Sequence, residues 1–246
     1  MRTRRRQKGR AGAVSKASRW RAVLFDLDGV LIDTMPLHAA AWHEALGIAG
    51  VRVPNRTIYE FEGEPGHSTV HRLLALGGFS GGEAELRKVG REVLLHKEAV
   101  FRSKAAGVRV NGSWRSLLAG LRRRGVRLGL VTGTSRIEVA RVVPTQVLRL
   151  FHVVVTGDQV RCGKPHPEPY KTACKRLNLT AGCCIVIENA PYGIRSARAA
   201  GAGRIIALAS SLPAPYLVGA HEVWKNTAAL RARLKQIFRE ASSLRE

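Results

Sequence analysis

Five short apolar runs, each the length of one buried strand, limit this chain to few architectures. They are Ala22-Phe25, Arg127-Val131, His152-Val155, Cys184-Ile187 and Arg204-Leu208. Runs this short and this apolar read as strands covered on both faces, and the helical patterns between most of them, such as Ser113 to Arg124 and Pro167 to Leu177, supply the cover. The alternation predicts an α/β fold built on a parallel sheet. One stretch departs from it. From Met35 to Gly107 the pattern is helical throughout, broken at Gly77-Gly78 and Gly81-Gly82, which predicts an all-helical unit inserted after the first strand. The expected division is a basic tail over 1–20, a core over 21–34 and 109–246, and the helical insert over 35–108.

Composition bounds the partners. Apolar types at 45% and charged types at 24% of 246 residues suit an ordinary folded body with a sizeable core. Charge is less ordinary: 41 Lys and Arg against 18 Asp and Glu leave +23, a field that attracts phosphates and nucleic acid without specifying chemistry. The segment before Arg21 has no acid and contains Arg4-Arg5-Arg6. It is expected to be a solvated extension that touches nucleic acid only non-specifically, although a transit peptide or a nucleic-acid arm stays open. Cys162, Cys174, Cys183 and Cys184 lack both the spacing of a zinc site and the density of a disulfide framework, so reduced thiols in a cytoplasmic protein are expected. No apolar stretch approaches the roughly 20 residues that cross a bilayer. A soluble monomer with no membrane partner is expected.

In an open parallel sheet, ligands bind beyond the carboxyl ends of the strands. Here those ends are chemically related. The first run leads into Asp26-Leu27-Asp28-Gly29, the second into Thr132-Gly133-Thr134 and the fourth into Glu188-Asn189. Gly163-Lys164-Pro165 lies in a loop where Pro165, Pro167 and Pro169 delay the next helix. Two carboxylates just past a buried strand need a cation. Magnesium suits the oxygen ligands of Asp26, Asp28, Glu188 and Asn189. With the charge shielded, Asp26 can attack phosphorus, and Asp28 can protonate the leaving oxygen and then deprotonate water. Lys164, the Thr132 hydroxyl and the amides of Gly133 and Thr134 would hold the oxygens of the transferring phosphoryl group.

The ordered set Asp26-Leu27-Asp28-Gly29-Val30, Val131-Thr132-Gly133-Thr134, Gly163-Lys164-Pro165 and Ile187-Glu188-Asn189-Ala190-Pro191-Tyr192-Gly193-Ile194 resembles the four motifs of haloacid dehalogenase-like phosphotransferases. Within them it is similar to the beta-phosphoglucomutase branch, over about residues 21–210. The resemblance implies a Rossmann-like core, Mg2+, a phospho-intermediate on Asp26, and a mobile cap, the 35–108 insert, closing over a small phosphorylated substrate. Phosphate release from such a metabolite is the leading expectation. A sugar-phosphate mutase and an inorganic pyrophosphatase are the alternatives.

Departures from the branch bear on the substrate. Glu188-Asn189 stands where Glu-Asp is usual, removing one negative charge. The Glu-Asn-Ala-Pro run and Glu62-Gly63 resemble the pyrophosphatase relative, which implies that Glu62 reaches the metal on closure; a solvated loop carboxylate beside Glu60 and Glu64 is the alternative. No Arg follows Glu62-Gly63 until Arg72, which favours hydrolysis over mutation unless Arg91, Lys97 or Arg102 approaches from another helix. His38 and Trp42 match substrate-facing positions in similar enzymes, or else are packing residues. Arg136 either binds substrate or begins a helix. Asp33 and Asp158 read as cap and turn carboxylates. Arg122-Arg123-Arg124 and Arg231 to Lys235 read as solvated helix faces.

Overall fold

The computed structural model describes residues 20–108, 110 and 112–240. The tail expectation therefore lies almost entirely outside the described residues. The chain runs β1 (Ala22–Phe25), then the insert α1 (Met35–Gly47), α2 (Asn55–Glu60), α3 (Gly66–Leu76) and α4 (Glu83–Lys104). It continues with α5 (Gly112–Arg123), β2 (Arg127–Val131), α6 (Arg136–Val142), α7 (Thr145–Leu148), β3 (Val153–Val155), α8 (Glu168–Leu177) and β4 (Cys184–Glu188). The last elements are α9 (Pro191–Ala199), β5 (Arg204–Leu208), β6 (Glu222–Trp224) and α10 (Thr227–Glu240).

The strands form one parallel sheet in the order β3-β2-β1-β4-β5-β6. Alternate residues on each strand face opposite sides, and each side has its own core. Val23, Phe25, Leu128, Leu130, Ile185 and Ile187 pack on one side against Trp114, Leu117 and Leu121 of α5 and Leu230 and Leu234 of α10. Leu24, Val131, Val155, Val186 and Ile205 pack on the other against Tyr170 and Cys174 of α8 and Ile194 of α9. A third cluster lies within the insert, where Trp42, Leu46, Ile58, Leu73, Leu74 and Val93 converge from α1–α4. This is the expected α/β, Rossmann-like core carrying a helical cap.

Three details differ from expectation or refine it. A sixth strand, β6, is present: three part-exposed residues are too few to stand out as an apolar run. Asp33 does not cap α1; Thr34 occupies that position without a side-chain capping bond, and its hydroxyl turns inward instead. Asp158 does hold a turn, accepting from the Thr156 hydroxyl at 2.6 Å and the Arg136 amide at 3.0 Å. No helix among the described residues is long and apolar enough to cross a membrane.

Candidate active site

The strand order explains why residues remote in sequence meet. β1 lies between β2 and β4, with Phe25 level with Leu130 on one neighbour and Ile187 on the other. The next residues, Asp26, Thr132 and Glu188, therefore emerge at one edge, where the chain departs in opposite directions along the sheet. The loop after β3 brings Lys164 across them.

Lys164 is 1% exposed, and its Nζ donates to Asp26 Oδ1 at 2.6 Å, Glu188 Oε1 at 2.6 Å and the Val131 carbonyl at 3.1 Å. Burial opposes the Lys164 charge, but Asp26 and Glu188 outweigh it and hold the ammonium well above its ordinary range. Burial pushes the Asp26 carboxyl well above the usual carboxylate range; Lys164 opposes the rise and Glu188 and Asp28 add to it. Glu188 is fully engaged: Oε1 also accepts from the Tyr170 hydroxyl at 2.6 Å, and Oε2 from the Asn189 amide at 3.1 Å. Its geometry is that of an anchor for Lys164.

Asp28 is clasped differently. Oδ1 accepts from the Thr34 hydroxyl at 2.5 Å and faces His38 Nε2 at 3.3 Å, while Oδ2 accepts from the Thr134 hydroxyl at 2.8 Å. Burial works against ionisation, but these partners outweigh it and hold the carboxyl well below its usual range. Asn189 Oδ1 and His38 Nδ1 are buried without a hydrogen-bond partner among the described residues. The Thr132 hydroxyl accepts from the Thr134 amide at 3.1 Å, so that amide is committed within the loop and is not free for phosphate as expected.

The cap lies against this edge. Gly63 has φ +85°, and a Cβ there would stand 2.9 Å from Lys164 Cδ; a Cβ on Gly133 would stand 2.7 Å from the Gly63 carbonyl oxygen. Only bare backbone fits between the two motifs. The adjacent Glu62 brings a carboxylate oxygen within 4.8 Å of the nearest ligand atoms of Asp28 and His38. A cavity of about 110 Å3 remains between cap and core, lined by His38, Trp42, Glu62, Gly133 and Thr134 among others. Arg136 is not among its lining residues: it starts α6, exposed, where its amide binds Asp158. Of the cap cations considered, Lys97 lines the cavity, and its Nζ sits 5.4 Å from the Trp42 ring centre. Sequence reasoning missed Thr34 and Tyr170, whose roles depend on where a loop and a helix come to rest.

Residues 20–201 match the family model for haloacid dehalogenase-like hydrolase. Validoxylamine A 7'-phosphate phosphatase of Streptomyces hygroscopicus subsp. limoneus is 34% identical over 183 residues, 74% of this chain and 83% of that protein. Phosphorylated carbohydrates phosphatase of Thermotoga maritima is 30% identical over 195 residues, 78% and 86% of the two chains. A solved structure of CbbY from Rhodobacter sphaeroides in complex with phosphate superposes with a TM-score of 0.67 at 25% identity, covering 86% of this chain and 96% of that one. Beta-phosphoglucomutase from Clostridium difficile shares the fold, with a TM-score of 0.73, 22% identity and coverage of 90% and 98%. With four motifs gathered at one sheet edge beneath a helical cap, the chain belongs to the haloacid dehalogenase-like hydrolases. Within that family it is an enzyme of the group that comprises phosphatases and phosphosugar hydrolases or mutases.

Proposed function

We propose that this enzyme is a Mg2+-dependent phosphohydrolase that forms an aspartyl-phosphate on Asp26 and releases phosphate from a small phosphorylated metabolite. The observation that carries the reading is the buried cluster of Asp26, Lys164 and Glu188 at the sheet edge, with the cap backbone at Gly63 lying against Lys164. Phosphatase-named relatives support it at the level of reaction class.

The donor set fits the metal. Asn189 Oδ1 is a buried amide oxygen with no donor among the described residues, a state costing about 1–3 kcal/mol that a hard cation offsets. Asp26 Oδ2 accepts no hydrogen bond among the described residues, because Lys164 takes Oδ1. We assign Asp26, Asp28 and Asn189 as its holders, with Glu62 close enough to join; Glu188, first expected as a ligand, is reassigned to anchoring Lys164. When bound, the ion neutralises charge on phosphate and carboxylate as they approach.

The chain's own groups do the rest. Lys164 holds one Asp26 oxygen and orients the other for attack on phosphorus. The Thr132 hydroxyl, whose lone pair takes the Thr134 amide, directs its hydrogen outward to a phosphoryl oxygen, and the Gly133 amide serves the same group. As phosphorus binds Asp26, the leaving oxygen takes a proton from Asp28; water then attacks the aspartyl-phosphate and gives its proton back to Asp28. Thr34, His38 and Thr134 fix the orientation of that carboxyl for both proton transfers, and Asp28 enters the first step carrying the proton that the attacking water returns at the end of each cycle. Trp42 shapes the wall of the cavity. His38 touches Asp28, so it is a positioning residue and not only cap packing.

A second phosphate would need cap cations. Lys97 is accompanied by Glu62, Glu64 and Glu98 in the cavity lining, which favours hydrolysis over a bisphosphorylated mutase intermediate. Glu62 beside Asp28 supports inorganic pyrophosphate as the second reading. The test is phosphate release from a panel of sugar phosphates, other phosphate esters and pyrophosphate with Mg2+. Turnover of at least one, lost in Asp26→Asn, is expected. A folded Asp26→Asn variant that releases phosphate as fast as the wild type overturns the reading, and conversion of beta-glucose 1-phosphate to glucose 6-phosphate without phosphate release replaces it with mutation.

A further inference from the structure

Two basic runs that read as separate solvated faces meet across one groove. α5 and α10 lie side by side on the same face of the sheet, joined beneath by Leu117, Leu121, Leu234 and Phe238. Between them runs a groove of about 300 Å3 lined by Arg123, Arg124, Lys235 and Arg239, with Gly120 and Ser116 in its wall. All four cations are exposed, the lining contains no carboxylate, and none of the four has an ion pair among the described residues. Leaving four like charges together costs Coulomb energy that counterions or a polyanion must offset.

The groove is remote from the catalytic edge. α5 ends just before Arg127, which is level with Ala22 at the start of β1. α10 begins near the opposite edge, where Thr227 shares a pocket with Gly29 and Asp33, and its last turn carries Arg239 back to the groove. The chain before β1, with eight Lys and Arg and no acid in residues 1–19, joins the fold at the same edge as the groove.

We infer that this groove docks the sugar-phosphate backbone of a nucleic acid. Cations spread along two helices match a repeating array of phosphates rather than one small anion. A lipid surface fits less well: the exposed large apolar residues Ile48, Leu76, Leu95, Ile137, Val218 and Val223 all lie off α5 and α10, and the leucines in the groove lining, Leu117 and Leu121, are buried, so neither is placed to enter a bilayer interface. The lining holds no Asn, Gln or aromatic side chain, and contacts made to phosphates alone are independent of sequence.

The test uses the full chain and a fluorescent 20-base-pair duplex, with affinity followed by anisotropy as salt is raised. Log affinity is expected to fall linearly with log salt. The charge-reversal variant R123E/R124E/K235E/R239E is expected to bind at least tenfold more weakly at about 50 mM salt, with a slope shallower by about 3.6, or about 0.9 for each of the four lost phosphate contacts. Phosphate release and melting temperature stay at wild-type values. The corresponding four-Gln variant, a milder change to the helices, should weaken binding severalfold in the same direction. Absence of duplex binding by the wild type overturns the inference. So does equal binding by both variants and the wild type, or tighter binding to vesicles of anionic phospholipid than to the duplex.

Discussion

The two motif-one carboxylates lie two residues apart yet have different partners. Asp26 shares one ammonium with Glu188, whereas Asp28 accepts from two hydroxyls and faces a histidine, so each is fixed in a different direction for the role proposed for it. Lys164 is the counterweight for Asp26 and Glu188 together. Lys164→Met leaves two buried carboxylates without a cation, and we expect it to abolish turnover and to cost about 3–5 kcal/mol, measured by urea unfolding. Asn189→Asp restores a charge on the proposed metal side, and half-maximal activity is expected at a severalfold lower Mg2+ concentration; an unchanged Mg2+ profile would refute the charge explanation. Asp26, Asp28, Thr132, Lys164 and Asn189 were legible because each sits immediately beyond a strand or in a Pro-bound loop. Thr34 and Tyr170 were not, because a hydroxyl on a helix or loop is directed by packing, and for Arg136 substrate contact and a helix start both stayed open because adjacency to a motif does not fix which way a helix's first side chain leaves.

At the scale of elements, apolar run length carried most of the information. β1, β2, β4 and β5 are buried on both faces and so wrote continuous apolar stretches into the sequence. β6 is a short, part-exposed edge strand that pairs with β5 and is held further by side chains. Its Glu222 binds Arg204 of β5, Arg233 of α10 at 3.1 Å and the Trp224 indole at 3.0 Å. Burial raises the Glu222 carboxyl, but Arg233, Trp224 and Arg204 outweigh it and hold it below its ordinary range. A lowered folded-state value means that the contribution is present above the ordinary carboxylate range and fades as pH falls through the folded value. Glu222→Gln should therefore lower stability by about 1 kcal/mol at pH 7, with the gap to wild type shrinking toward pH 3. Urea midpoints at both pH values check this; a gap that widens on acidification contradicts it.

For the molecule as a whole, the cap and the core meet where side chains are missing. Gly63→Ala places a methyl group against Lys164 in a backbone conformation that alanine resists, so closure should be impaired. We expect kcat/KM to fall at least tenfold with little change in melting temperature; retention of full activity would show that closure does not require that approach. The sequence announced the insert, since its helical periodicity interrupts the strand alternation. It left open whether Glu62 would reach the Asp28 side and which of Arg91, Lys97 and Arg102 would face the cavity, because both depend on how four helices dock on a sheet. The enzymatic reading rests on phosphorus passing through Asp26. The direct measurement is acid quenching during turnover of an active substrate, followed by peptide mass spectrometry. A phosphoryl group on the peptide containing Asp26, absent in Asp26→Asn and lost when substrate is removed before the quench, is the expected result. Phosphate release at full rate with that peptide never phosphorylated would contradict it.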